Sequence, residues 1–144
     1  MSTFQSPLAL HGGVVLLVGL LVGFPYGAAL VAKADPVSVQ NWRVAHVQNL
    51  QNGMLLLLVA ACSSYLHLSL CVANLMAWLL IAAAYCDMLA WFIRATTGHP
   101  GLWPTPPLPN VLVFALFGLT VAGQLSGICI LVLGAWRAMN AGVA

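Results

Sequence analysis

Residues 8–31 read LALHGGVVLLVGLLVGFPYGAALV and contain no Asp, Glu, Lys or Arg. An apolar stretch of about 20 residues is long enough to cross the hydrocarbon core of a bilayer as a helix. The run ends at the polar sequence KADP of residues 33–36. We therefore predict a first membrane span over about residues 8–31. It is expected to be retained, because no Lys or Arg precedes it and it is too long for a signal-peptide core.

The rest of the sequence has the same apolar character. Of the 144 residues, 62% are hydrophobic and only 4% are charged, whereas a soluble globular domain carries about 25% charged residues. The four Lys and Arg residues and the net charge of +2 are too few for a surface that neutralises several phosphates. The composition predicts an all-α integral membrane protein in contact with the lipid bilayer, and it excludes nucleic-acid binding.

Three further spans follow in the hydropathy pattern. The second is expected to begin near Val39, with Ser38 as its cap. A stretch with five prolines in residues 100–109 predicts a stiff loop before the last span. The three spans cover about residues 39–64, 71–95 and 110–136. The sequence thus predicts four transmembrane helices in one bundle, as a single domain over residues 1–144.

The second span is unusual because its first half is polar. A polar side chain at membrane depth needs a partner or costs about 1–3 kcal/mol, so we expect a polar ligand near this segment. Asn49 and Gly53 share the face of His46, and Gly53 is expected to leave a gap in which a flat ligand lies. The alternative is an interfacial histidine with amides that only join helices. The polar residues are Arg43, His46, Gln48, Asn49, Gln51 and Asn52.

A more specific pattern lies in the same segment. Residues 42–54 contain W-x-x-A-H-x-x-x-x-x-N-G-M, which resembles the signature of the styrene oxide isomerase family, four-span membrane enzymes that bind haem b. The Leu-His-Gly of residues 10–12, the glycines of residues 19–27 and the spacing of the spans over residues 8–137 are also similar. The resemblance implies a homotrimer with haem b at each subunit interface and His46 as the axial iron ligand.

The resemblance also implies a reaction. Ferric iron acts as a Lewis acid on a small hydrophobic epoxide, which rearranges to an aldehyde or ketone by a 1,2-hydride shift, the Meinwald rearrangement. Arg43 is expected to bind a haem propionate, or else to be an interfacial anchor, and Asn49 and Gly53 are expected to contact the haem. Asn52 lies about 240° around the helix from His46, so we expect it to reach a substrate at another subunit's haem.

On span 3 the chain departs from the family. An ungapped match places Ala83, Asp87 and Trp91 where the family has Asp, Asn and Tyr. We expect Asp87 to stabilise a developing cation and Trp91 to offer its ring face to the same charge. The catalytic candidates are therefore Asn52, Asp87 and Trp91. In the alternative interpretation, Asp87 is solvated near the interface or accepts a hydrogen bond from a Trp or Tyr of a neighbouring span, and Trp91 belongs to the interfacial aromatic belt.

The other histidines leave further alternatives open. His99 as a second axial ligand beside His46 would make the protein a b-type electron carrier. His11 and His67 share one membrane level and would suit a metal or second haem. A non-catalytic assembly protein without a cofactor is a third hypothesis.

The cysteines and the cations are spread along the chain. The four cysteines form no C-x-x-C pair, so they are interpreted as small, buried apolar residues. The distribution of cations predicts that both termini lie outside the cytoplasm, with a location in the bacterial inner membrane. The cations are Lys33, Arg43 and Arg94 on one side, and Arg137 on the other.

Overall fold

The computed structural model describes residues 4–141, and its regular structure is helical. The long helices are α1 (Gln5–Val31), α2 (Pro36–Cys62), α3 (Leu70–Thr97) and α4 (Leu108–Ala141). A single 3₁₀ turn, Ser63–Tyr65, follows α2. The predicted all-α fold with four long helices is confirmed.

Three of the helices, α1, α3 and α4, are long and apolar enough to cross a membrane. Their outer faces carry large apolar side chains such as Phe24 and Leu125, which are 75% and 63% exposed. A surface of this kind suits lipid rather than water. The prediction that the cysteines are buried was wrong, because Cys62, Cys71 and Cys129 are exposed and Cys86 is half-buried. Helix α2 has the same length as α1, 27 residues, but its polar first half keeps it outside that apolar group.

The ends of the helices differ from the sequence prediction in one detail. Asp35, not Ser38, caps α2, because the Asp35 carboxylate accepts a hydrogen bond from the Ser38 backbone N–H at 3.0 Å. Pro36 then occupies the first helical position, where a missing N–H costs nothing. Helix α3 ends at Thr97 and is capped by Gly98, whose φ of 75° is left-handed and favours glycine.

The side chain of Asn110 makes several hydrogen bonds to the proline-rich loop before α4. Asn110 accepts a hydrogen bond from the Gly101 N–H at 2.9 Å. Its amide donates to the carbonyl oxygens of Trp103 and Thr105 at 2.8 and 2.9 Å. These hydrogen bonds fix the loop to Asn110 in the first turn of α4.

The helices form two antiparallel pairs. Helix α1 packs along α2, α3 packs along α4, and contact between α2 and α3 joins the pairs. One buried cluster lies among α1, α2 and α3 and includes Leu8, Leu56 and Met76. A smaller one contains Val22, Ala45 and Ala95. Along α2 and α3, the buried polar residues described below fall between these clusters.

The contact between α1 and α2 depends on glycines. A Cβ at Gly53 would lie 2.6 Å from the backbone nitrogen of Leu16, and a Cβ at Gly19 would lie 2.9 Å from that of Leu50. The two backbones touch at these positions. The predicted gap beside Gly53 was therefore wrong: Leu16 of α1 fills it, and Gly53 serves close helix packing.

Candidate functional site

His46 is held against α1 by one ring nitrogen. Its Nδ1 lies 2.7 Å from the carbonyl oxygen of Gly19. A carbonyl oxygen only accepts hydrogen bonds, so in the neutral imidazole the proton is on Nδ1 and donates to Gly19. The lone pair is then on Nε2, which is the tautomer that a histidine needs to bind a metal.

The neighbours of His46 on α1 fix the plane of its ring. Tyr26 stacks on the imidazole, with ring centroids 6.2 Å apart and an interplanar angle of 21°. A Cβ at Gly23 would lie 3.3 Å from the imidazole Cε1, so a side chain at that position would crowd the ring. The imidazole is therefore oriented by α1 before any ligand binds.

Asn49 is completely buried, one turn from His46. Its Nδ2 donates to the Ala45 carbonyl at 2.8 Å, but its Oδ1 has no hydrogen-bond partner. An unpaired buried acceptor is costly, at about 1–3 kcal/mol. Asn49 is thus a buried side chain near His46 with an unpaired hydrogen-bond acceptor.

The outer face of α2 carries a polar groove of about 210 Å³. Arg43 lies in it, is exposed, and makes no hydrogen bond or ion pair with the residues that the structure describes. Arg43 is one turn from His46, so both belong to neighbouring parts of the helix surface. The lining residues are Gln40, Arg43, Val44, Val47, Gln48 and Gln51.

A chain of three polar side chains lies on the other side of α2. Asn52 Nδ2 donates to Asp87 Oδ2 of α3 at 2.8 Å. Gln124 Nε2 of α4 donates to Asn52 Oδ1 at 3.0 Å. Asn52 and Asp87 are each only 7% exposed. The alternative in which Asp87 is solvated at the interface is therefore wrong for this structure.

Trp91 lies one turn beyond Asp87 and is packed rather than free. Its ring meets Phe117 of α4 edge to face at 5.1 Å, and the Arg94 guanidinium carbon lies 5.1 Å from its centroid. Its buried indole N–H has no hydrogen-bond partner among the described residues. One face of Trp91 thus already holds a cation, which the sequence did not predict.

The structure brings Asn52, Asp87 and Trp91 together but leaves His46 apart from them. His46 turns to α1, whereas Asn52 turns to α3. Ala83, where the resemblance expected an acidic residue, is buried against α4, and a Cβ at Gly123 would lie 3.0 Å from its Cβ. The carboxylate of this face is therefore one turn further along α3.

The other histidines have separate surroundings. His11 Nδ1 lies 2.9 Å from the Tyr85 hydroxyl, which turns Tyr85 away from the face of Asp87. His67 is exposed. Within residues 4–141, no group of three or more His, Cys, Asp or Glu side chains could hold a metal. No described hydrogen bond or ring contact joins His46 to His99.

Comparison with known families covers almost all of these residues. A model of the family described as styrene oxide isomerase matches residues 4–136. The chain belongs to the styrene oxide isomerase family. A search of curated proteins found no significant match. Membership of the styrene oxide isomerase family, together with three long apolar helices, indicates a membrane protein with isomerase activity.

Two contacts in this styrene oxide isomerase family member were not predicted from the sequence. Gln124 joins Asn52, and Arg94 donates from Nε to Asn41 Oδ1 at 3.2 Å. A glutamine in the middle of an apolar helix is itself a signal, since it needs a partner there. The partner could not be identified, because α2 and α4 are distant in sequence.

Proposed function

We propose that the chain is a membrane-embedded isomerase that converts an aryl epoxide such as styrene oxide into its carbonyl isomer, with ferric haem b bound by His46. The observation that carries the proposal is the bond from His46 Nδ1 to Gly19, which leaves Nε2 able to bind iron. Family membership supports the same reaction class. In this proposal α2 is the fourth membrane span.

The residues around His46 fit a haem. Imidazole is the usual protein ligand of haem iron, and a carbonyl behind it raises its basicity and fixes its orientation. Arg43 provides an exposed guanidinium one turn away, which suits a propionate carboxylate. When bound, ferric haem supplies a Lewis acid for the epoxide oxygen, worth several kcal/mol of charge stabilisation.

The polar face of α2 supports an oligomer, of which the homotrimer implied by the family resemblance is the form that we propose. Ligand pockets measure about 300–1,000 Å³, and the groove beside Arg43 measures about 210 Å³ and is open. Its glutamines would be costly against lipid. A second copy of the chain on this face would cover the glutamines and enlarge the groove. It would also allow Asn52 and Asp87 of one subunit to act beside His46 of another.

The side chains around Asp87 have defined tasks in this rearrangement. As the benzylic C–O bond breaks, positive charge develops on that carbon, and the Asp87 carboxylate stabilises it electrostatically. Asn52 orients the carboxylate through its amide. The neighbouring hydrogen then migrates with its electron pair and the carbonyl forms, so no proton needs to leave the substrate. Trp91 and Phe117 form an apolar wall that excludes water from the cation.

An isotope experiment tests this reaction. Styrene oxide carrying two deuterium atoms on its terminal carbon is incubated anaerobically with purified protein and no reductant. We expect phenylacetaldehyde with one deuterium on each of its two side-chain carbons, because the hydride shift is intramolecular. Mass spectrometry and NMR measure the label. Loss of deuterium to water, formation of the diol, or no turnover would contradict the proposal.

A further inference from the structure

Gln124 of α4 is a polar side chain that the proposed reaction does not yet use. It donates from Nε2 to Asn52 Oδ1 at 3.0 Å, and Asn52 donates onward to Asp87 at 2.8 Å. A glutamine in an apolar membrane helix is costly unless it is hydrogen-bonded. Among the described residues, its hydrogen-bond partner is Asn52. Gln124 therefore extends the Asn52 and Asp87 pair to a third helix.

The hydrogen bond from Gln124 to Asn52 joins two helices that are not packed closely against each other. Helix α4 packs against α3, and α2 packs against α1 and α3, whereas α2 and α4 are not a closely packed pair of helices. Amides that join membrane helices normally lie within a packed interface. The contact from Gln124 to Asn52 crosses to a helix that α4 otherwise does not touch closely, which favours a role in orienting Asn52.

The direction of the bonds is set by Asp87. A carboxylate only accepts hydrogen bonds, so the NH₂ group of Asn52 must face Asp87 and its carbonyl must face Gln124. A single hydrogen bond to Asp87 would leave the Asn52 amide able to tilt about its Cα–Cβ and Cβ–Cγ bonds. The second bond, from Gln124, fixes the amide plane.

Fixing that plane also sets the direction of a free donor. Asn52 Nδ2 carries two hydrogens, and one of them goes to Asp87. The other has no acceptor within residues 4–141, so it is available to a bound molecule. Catalytic groups that are misplaced by about 1 Å can lose about 100-fold in rate.

We propose that Gln124 is a positioning residue that orients the Asn52 amide, so that its free N–H and the Asp87 carboxylate face the substrate together. This inference rests on the proposed isomerase function. Gln124 does not touch the substrate and acts through Asn52.

The test is Gln124→Met, which keeps the length of the side chain and removes the donor. We expect kcat for styrene oxide to fall about 10-fold, with KM within about twofold and an unchanged haem absorption spectrum. Ser126→Ala, on the same helix in the groove between α3 and α4, is the control and should leave kcat unchanged.

A double-mutant cycle separates orientation of Asn52 from a general structural effect. In an Asn52→Ala background, Gln124→Met should have no further effect on kcat. An equal loss in both backgrounds, an unchanged kcat in Gln124→Met alone, or loss of haem from that variant would overturn the inference. If the wild-type protein isomerises the epoxide and Gln124→Met has the same kcat, only the inference about Gln124 fails. A wild-type protein without isomerase activity overturns the proposed function as well.

Discussion

His46→Ala is expected to give a colourless protein that no longer isomerises styrene oxide. Nε2 of this imidazole is the proposed iron ligand, and its orientation depends on the bond from Nδ1 to Gly19. Removing the ligand should remove the Soret absorption. The rate should fall about 1,000-fold or more, since a metal Lewis acid contributes several kcal/mol. Absorption spectra and product analysis by gas chromatography measure the two effects.

Two further experiments make this result specific. His46→Gly with added imidazole should recover the Soret absorption and part of the activity, which distinguishes a lost ligand from a misfolded protein. His67→Ala, at an exposed position, should keep both the Soret absorption and the isomerase activity. A Soret band that survives His46→Ala with full intensity would contradict the assignment of His46.

Asp87→Ala is expected to have the second-largest effect. The carboxylate is buried and oriented by Asn52, and in a dry site a fixed charge opposite a developing cation is worth about 100- to 1,000-fold in rate. We therefore expect kcat to fall by that factor while the haem spectrum is unchanged. The kcat of Asp87→Asn should lie between those of Asp87→Ala and the wild type, because this variant keeps a polar side chain and loses the charge. Steady-state kinetics on protein quantified by its haem measures the loss.

The matched control for Asp87 is the chain's other carboxylate. Asp35 is exposed and caps α2, so Asp35→Ala should cost about 1 kcal/mol of helix stability and leave kcat unchanged. Equal kcat values for Asp87→Ala and the wild type would show that Asp87 has no catalytic role.

The fold was predictable because its signals are local. Long apolar runs predicted helices close to their observed positions, and the proline-rich segment of residues 100–109 predicted the loop before α4. The sequence predicted Ser38 as the cap of α2, whereas Asp35 caps it. Both residue types are good helix caps and they lie three positions apart, so the pattern did not distinguish them. Which helix each face of α2 contacts does not follow from the apolar pattern, and this caused the error at Gly53.

The candidate site was predictable only in part. The sequence identified His46, Asn52 and Asp87, and helical geometry placed His46 and Asn52 on different faces of α2. It did not show that Gly19 would fix the imidazole tautomer or that Gln124 would join Asn52. These are contacts between distant parts of the chain, and periodicity within one helix carries no information about them.

Electron paramagnetic resonance of the purified wild-type protein, as isolated and without substrate, tests whether His46 binds a ferric haem with one open axial position. With one histidine ligand and a second axial position open to an epoxide oxygen, the ferric haem should give an axial high-spin signal. A low-spin rhombic signal that His99→Ala converts to high spin would show a second histidine ligand and an electron carrier. Absence of any haem signal would contradict the account altogether.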